Sequence, residues 1–263
     1  MSQAAPAMPQ ARHGPAVADL LPVLYRVEAV HWWTSGMRRI THALLDGLAV
    51  AQGPAVELGC GAGVFAAELA ERLPQQPVLG IDLRGEGLAR TMEATQRTAN
   101  LAFLQADVHR LPLQAGASPL VVALDVLDQR GVDAGLALAQ SWRLLRPGGW
   151  LLVRVSAYPW LWGPHDQRFG TAQRYRAPVL RQRLVRAGFQ IVRLTYANTL
   201  LLPPAVLVRL AQRMGRLPVT LELDAGPRLN RSLRAMLAWE AVWLRRRNLP
   251  AGLSLYGLAR KLA

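Results

Sequence analysis

From Ala51 onward the chain alternates short apolar, β-prone runs with longer stretches whose apolar residues recur at helical spacing, and this rhythm constrains the fold more than any other feature. Strands joined by helical crossovers lie parallel, with helices covering both faces of the sheet. The pattern predicts strands over Ala55–Leu58, Val78–Asp82, Ala102–Ala106, Leu120–Asp125, Trp150–Val155, Gln190–Thr195 and Ser254–Arg260. It predicts helices over Phe65–Leu73, Glu86–Thr98, Val132–Leu145 and Pro178–Ala187, each ending near Gly, Pro or Asn. The expected class is α/β: a doubly wound, mostly parallel, seven-stranded sheet, without a repeat of solenoid period.

Three segments stand outside the alternation: Leu20–Leu48, Ala157–Ala177 and Tyr196–Gly252, the last with helices expected at Leu200–Met214 and Leu229–Arg247. Insertions at the carboxyl ends of parallel strands border the crevice where ligands bind, so these segments read as a cap. The expected organisation is a flexible tail over 1–19, a helical lid over 20–50, a core over 51–195, a helical cap insertion over 196–252 and a final core strand over 253–263. A chain of 263 residues, 51% hydrophobic, can bury such a core, which excludes a disordered or fibrous protein. The single cysteine, Cys60, excludes an intrachain disulfide and a multi-cysteine metal site. No metal is expected, and a reducing, cytoplasmic setting is. Met1–Gly14 lacks the basic-then-apolar order of a signal peptide, and the longest apolar run, Leu200–Val208, is too short to span a bilayer and holds Pro203 and Pro204.

Charge is divided unevenly. Residues 1–150 carry 12 basic and 13 acidic side chains, whereas 151–263 carry 19 and 4. An arginine-rich composition, with Lys261 the one lysine, accounts for the total but poorly for the segregation. The second half therefore points toward an anionic partner, with phosphate, nucleic acid and a membrane surface as the choices. Arg209, Arg213 and Arg216 accompany the first insert helix, and Arg228, Arg231, Arg234 and Arg245–Arg247 the second. These suit either solvated cap faces or peripheral contact with an anionic membrane. Nucleic acid is disfavoured, because no RNA-binding module or basic-aromatic repeat accompanies the charge.

Val56-Glu57-Leu58-Gly59-Cys60-Gly61-Ala62-Gly63 closes the first strand and opens a helix. Glycines there permit a sharp turn and close backbone approach, and free N–H groups at a helix start favour anionic groups. The same residues satisfy the dinucleotide fingerprint, so the glycines alone leave two readings open. Three other features separate them. Glu57 suits an ammonium group and not a pyrophosphate, Asp107 follows the third strand in Gln105-Ala106-Asp107-Val108, and Leu145-Arg146-Pro147-Gly148-Gly149-Trp150 turns into the fifth. Here the sequence resembles the class I S-adenosylmethionine (SAM) methyltransferases, over roughly Leu48–Thr195 plus the last strand. The resemblance implies a Rossmann-like fold with an antiparallel final strand and SAM as cofactor. It implies that Glu57, Gly59, Gly61 and Gly63 surround the methionine part, that Asp82 holds the ribose hydroxyls, that Leu83 and Val108 flank adenine, that Asp107 meets its amino group, and that Asp125 lines the methyl-donor pocket. Alone, Asp82 or Asp107 would read as a turn or cap carboxylate; the ordered set argues otherwise.

A narrower resemblance lies outside the sheet. His31-Trp32-Trp33, Arg38-Arg39, the run Ala157–Asp166, Arg174-Tyr175, Gly188-Phe189, Asn198–Pro204 and Leu249–Leu255 are similar to a methyltransferase subgroup associated with glycan and glycolipid biosynthesis. Ser156 stands where that pattern has proline, Gly163 where it has serine, and Ala172-Gln173 near its His and Arg. The acceptor this implies is a small molecule or a glycan- or lipid-linked intermediate, methylated at oxygen. Methyl transfer is an in-line displacement that needs alignment and a deprotonated nucleophile. His165 is the expected base because its ordinary pKa lies near neutrality. Asp166 would orient it or hold a sugar hydroxyl, Arg174 grip a phosphate and Tyr175 donate to the acceptor. Each also has a plainer reading as local hydrogen bonding or surface stacking. Trp32, Trp33, Trp160 and Trp162 are candidates for an aromatic floor or for packed cap residues. Two alternatives remain: an RNA methyltransferase, marked by salt-dependent RNA binding, and a non-catalytic SAM-binding scaffold.

Overall fold

A computed structural model of the protein describes residues 31–85, 98–214 and 226–262. The expected tail over 1–19, the first part of the 20–50 segment, nearly all of the helix expected at Glu86–Thr98, and Arg216 fall outside them.

The seven strands are β1 (Ala55–Leu58), β2 (Val78–Asp82), β3 (Leu101–Gln105), β4 (Ser118–Leu124), β5 (Leu145–Ser156), β6 (Phe189–Ala197) and β7 (Ser254–Lys261). They form one sheet in the order β3-β2-β1-β4-β5-β7-β6. The pairs β1–β2, β1–β4, β2–β3 and β4–β5 are parallel, and β7 runs antiparallel to both β5 and β6. This is the mixed, Rossmann-like sheet of the methyltransferase fold, with helical insertions. Arg146–Gly149 loops out between Leu145, which pairs with Ser118, and Trp150, which pairs with Leu120, so the expected turn sits within β5 as an irregularity of the ladder.

Every residue of β1 is buried, as a strand covered on both faces must be. One face meets α3 (Ala134–Leu144) and α5 (Ala177–Arg186), whose Leu138, Leu144, Leu180 and Leu184 pack with Val56, Val121, Val153 and Leu255. The opposite face meets α1 (Trp32–Leu45), α2 (Val64–Arg72) and α7 (Pro227–Leu244), through Ile40, Leu44, Phe65, Leu69, Leu237 and Leu244. A short α4 (Pro164–Arg168) lies in the loop after β5, and α6 (Leu202–Arg213) opens the insertion after β6.

The described part of the 20–50 segment is thus one helix in the layer beneath the sheet. It meets α7 closely: a Cβ on Gly36 would stand 2.3 Å from Leu237 Cδ1, so only glycine allows this crossing. Glu240, fully buried on α7, binds the chain entering α6, its carboxylate accepting the N–H groups of Asn198 and Thr199 at 2.6 Å each and of Leu200 at 3.2 Å. Both insert helices start within two residues of their expected positions, and Glu240 ties one to the other. Among the described residues no helix is long and apolar enough to cross a membrane.

Candidate active site

Four carboxylates expected at the cofactor stand at the carboxyl ends of adjacent strands: Asp107 after β3, Asp82 ending β2, Glu57 near the end of β1 and Asp125 after β4. Parallel order forces this, since every strand delivers its last residue to the same edge. Gly59, Gly61 and Gly63 take φ of 69°, 55° and 69°, and α2 starts at Val64 with no side-chain cap, leaving its first N–H groups to the turn. A Cβ on Gly59 would lie 2.4 Å from Val126 Cγ2, so the turn approaches the β4 end more closely than a side chain permits.

Asp82 fixes the turn. One of its oxygens accepts the Gly61 N–H and the other the Arg84 N–H, both at 2.9 Å. Asp107 accepts the His109 backbone N–H at 2.9 Å and contacts the His109 ring at 2.8 Å. Val108 is buried in the core, and the Leu83 carbonyl accepts an N–H of the Gln105 side chain at 3.0 Å. Glu57 is buried. Asp125, at φ 55°, forms a two-pronged pair with Arg154 of β5, whose guanidinium also reaches Tyr256, itself bonded to Thr41 of α1. Burial opposes the Arg154 charge, but Asp125 and Tyr256 more than offset it and hold the guanidinium firmly protonated.

Sequence reasoning passed over Asp128, which is wholly buried one turn beyond Asp125. One of its oxygens accepts the Ser156 N–H at 2.8 Å, and its carbonyl accepts the N–H of Ala172. Burial first, and the Asp125 charge second, push its pKa up to about 7. The signal available was a second acidic residue in Asp125-Val126-Leu127-Asp128, three positions after a strand end.

The loop after β5 is organised around Asp166, 1% exposed. Its carboxylate accepts the Gly163 N–H at 2.8 Å and the Arg174 Nε–H at 2.7 Å, while Arg174 also donates to the Ala157 carbonyl at 2.9 Å. Arg209 of α6 stands 3.8 Å from the same carboxylate, and a Cβ at position 163 would lie 2.2 Å from its Nη1. Gly163 therefore makes room for an arginine from the insertion. Tyr175 is buried, its hydroxyl donating to the Leu127 carbonyl at 2.8 Å and accepting from Gln173 at 2.6 Å. Burial is the main cause of its pKa rising to about 12.

Asp166, Arg174 and Tyr175 are thus brought together, but with their polar atoms turned to the loop itself. His165 differs. Its ring packs on Phe169 at 4.3 Å, and the residue as a whole is exposed. Crowding by the loop, then the charges of Arg174 and Arg209, lower its pKa from the usual imidazole range, against the pull of Asp166. The four tryptophans do not make one floor: Trp32 and Trp33 pack with the α1 layer, whereas Trp160 is exposed and stacks on Tyr158, which stacks in turn on Tyr196.

Residues 55–149, from β1 into the turn of β5, match a family described as a methyltransferase domain. Those residues carry a methyltransferase domain, set in the class I fold that the sheet order describes. Over 102 residues it is 41% identical to a trans-aconitate 2-methyltransferase of Deinococcus radiodurans, covering 39% of this chain and 37% of that protein. Over 119 residues it is 32% identical to nodulation protein S of Rhizobium tropici, covering 43% of this chain and 49% of that one. The matched portion thus spans less than half of either relative.

Solved structures extend the likeness in shape. A complex between the Haloferax volcanii Trm112 methyltransferase activator and a methyltransferase aligns with 97% of this chain and 100% of that one, at a TM-score of 0.62 and 18% identity. The [4+2]-cyclase SpnF aligns over 98% of both chains, at 0.63 and 18%. At such identity they show the fold.

SAM is the cofactor of this methyltransferase domain, and the residues present fit it. Asp82 is held rigid by two backbone N–H groups, its carboxylate keeps further lone pairs for hydroxyl donors, and the first N–H groups of α2 lack a side-chain cap. Among the described residues no cluster suited to a metal ion occurs.

Proposed function

We propose that this chain transfers the methyl group of SAM to an oxygen atom of a small-molecule or glycan- or lipid-linked acceptor, bound beside the loop after β5. What carries the reading is the row of carboxylates at the ends of β3, β2, β1 and β4, followed immediately by a loop that presents an open histidine. Cofactor and acceptor would then meet at one edge of the sheet. When bound, SAM supplies an electrophilic methyl group.

The chain's residues do the rest in this reading. Gly59, Gly61, Gly63 and Glu57 hold the methionine end, Asp82 the ribose, and Asp107, Leu83 and Val108 the adenine. Asp125, fixed by Arg154, shapes the wall near the donor. His165 Nε2 or Nδ1 accepts the proton of the acceptor hydroxyl. Asp166 and Arg174 position the loop that carries His165, and Tyr175 anchors that loop to the end of β4. A neutral imidazole with a lowered pKa is a weak base, so the scheme suits an acceptor oxygen that is already acidic.

The test is incubation of the purified protein with methyl-labelled SAM and fractionated host extract, with calorimetry of SAM and NAD alongside. Label in an oxygen-linked product, equimolar S-adenosylhomocysteine and SAM heat without NAD heat are expected. SAM binding without product from any fraction would favour a non-catalytic binding protein, and label in RNA would favour the RNA methyltransferase reading.

A further inference from the structure

The insertion between β6 and β7 exposes apolar side chains that a water-facing cap has no need of. On α7 the buried positions are Leu237, Glu240, Ala241 and Leu244, one helical stripe turned to α1 and the sheet. The opposite stripe carries Trp239, Val242 and Trp243, which are 54%, 63% and 45% exposed. Arginines bound this apolar centre at both ends. Arg228, Arg231 and Arg234 lie one to three turns before it and Arg246 and Arg247 just after, all exposed and none ion-paired among the described residues. The other insert helix, α6, buries none of its twelve residues and exposes Leu207, Val208 and Leu210.

Contiguous apolar surface rimmed by one sign of charge marks a docking face. The chemistry of the rim and the centre chooses the partner. Indole rings favour the boundary between headgroups and acyl chains, where the ring body is buried and the N–H stays among polar groups, while arginines alongside meet phosphate. A nucleic acid would use the arginines but gain little from Val242. Trp239 and Trp243 also pack on each other at 5.8 Å, which leaves them poorly placed to stack on separate bases.

We propose that the outer face of α7 docks on an anionic phospholipid bilayer, with Trp239, Val242 and Trp243 entering the interfacial layer and the flanking arginines binding lipid phosphates. This binding is independent of the methyl-transfer reading, and its loss leaves SAM affinity untouched. An enzyme so anchored would draw its acceptor from the membrane or its surface.

The experiment is flotation of the full chain with phosphatidylcholine vesicles containing phosphatidylglycerol, against vesicles of phosphatidylcholine alone. Binding to the anionic vesicles, weakening with salt, is expected. R246Q/R247Q should weaken it roughly 25-fold, about fivefold per arginine near an anionic surface, and W239Q/W243Q about tenfold or more, with circular dichroism and SAM affinity unchanged for each. Since Arg246 and Arg247 lie beyond the helix, that variant stays informative even where the tryptophan pair destabilises the fold. Absence of flotation at low salt, or flotation of R246Q/R247Q equal to wild type, overturns the proposal. So does inhibition of flotation by inorganic phosphate at ionic strengths where chloride has no effect, or binding of tRNA that the tryptophan variant retains while vesicles compete for nothing.

Discussion

The two ends of the candidate site are built on opposite plans. At the cofactor end, Asp82 is held by backbone N–H groups of residues close to its own strand end or to the next turn, which leaves the carboxylate oriented yet available. In the acceptor loop, Asp166 is surrounded by Gly163, Arg174 and Arg209 and shielded from water. In the proposed reading the first plan presents charge to a ligand, whereas the second uses charge to hold a loop. The difference teaches that a motif-like Asp can be a binding group in one setting and a fastener in the other, and that burial of its partners decides.

Breaking each carboxylate in turn should separate the plans. Asp166→Ala leaves the Arg174 guanidinium buried without its partner and should cost about 3–5 kcal/mol of stability, read by urea denaturation, while SAM affinity in the folded fraction stays near wild type. Asp82→Ala should do the reverse, weakening SAM binding by about 1.5–3 kcal/mol in calorimetry with a much smaller change in denaturation midpoint. Equal loss of affinity in both variants would collapse the distinction.

A pH series sharpens it further. The folded His165 pKa lies below that of the unfolded chain, so between them the unfolded state binds the extra proton, and stability falls as pH drops below about 6.5. Asp128 works the other way: with a folded pKa raised to about 7, the folded state holds the extra proton, and stability falls as pH rises from about 4 through 7. Asp128→Asn should therefore gain stability relative to wild type at pH 8 and lose that advantage near pH 4. His165→Gln should flatten the acid limb. If His165 is the base, the acid limb of turnover belongs below 6.5, and His165→Gln lowers turnover about 10²–10⁴-fold with SAM affinity kept.

Legibility in the sequence follows the same divide. Six of the strands were readable to within two residues at each boundary because a strand buried on both faces has few options but a short apolar run, and β1 and β2 coincide with their expected limits; β5 begins five residues early, at Leu145, because the expected turn lies within its ladder. The placement of the glycine turn and of the carboxylates at the strand ends was readable because those parts are local. The acceptor loop was not, because its partners come from afar. Nothing within the loop announces that Gly163 lies under Arg209, or that Tyr175 reaches the Leu127 carbonyl. The antiparallel sense of β7 was carried by family likeness and not by residue pattern. Glu240, a lone acid on an apolar helix stripe, was visible in the sequence, but its three N–H partners sit some forty residues upstream.

The place of β7 bears on the order in which the molecule can assemble. It lies between β5 and β6, which precede it in the chain, and among the described residues β6 has no other sheet neighbour. While the polypeptide is being made, β1 to β5 can find their ladders as they emerge, but β6 must wait beyond the edge with its hydrogen-bonding groups unmet until residues 254–261 follow. For that interval the edge of β5 is an open template of the kind that draws strands from other molecules. Exposed arginines on α5, the helix just before β6, among them Arg181 and Arg186, would then discourage a second nascent chain from taking the vacant place by like-charge repulsion.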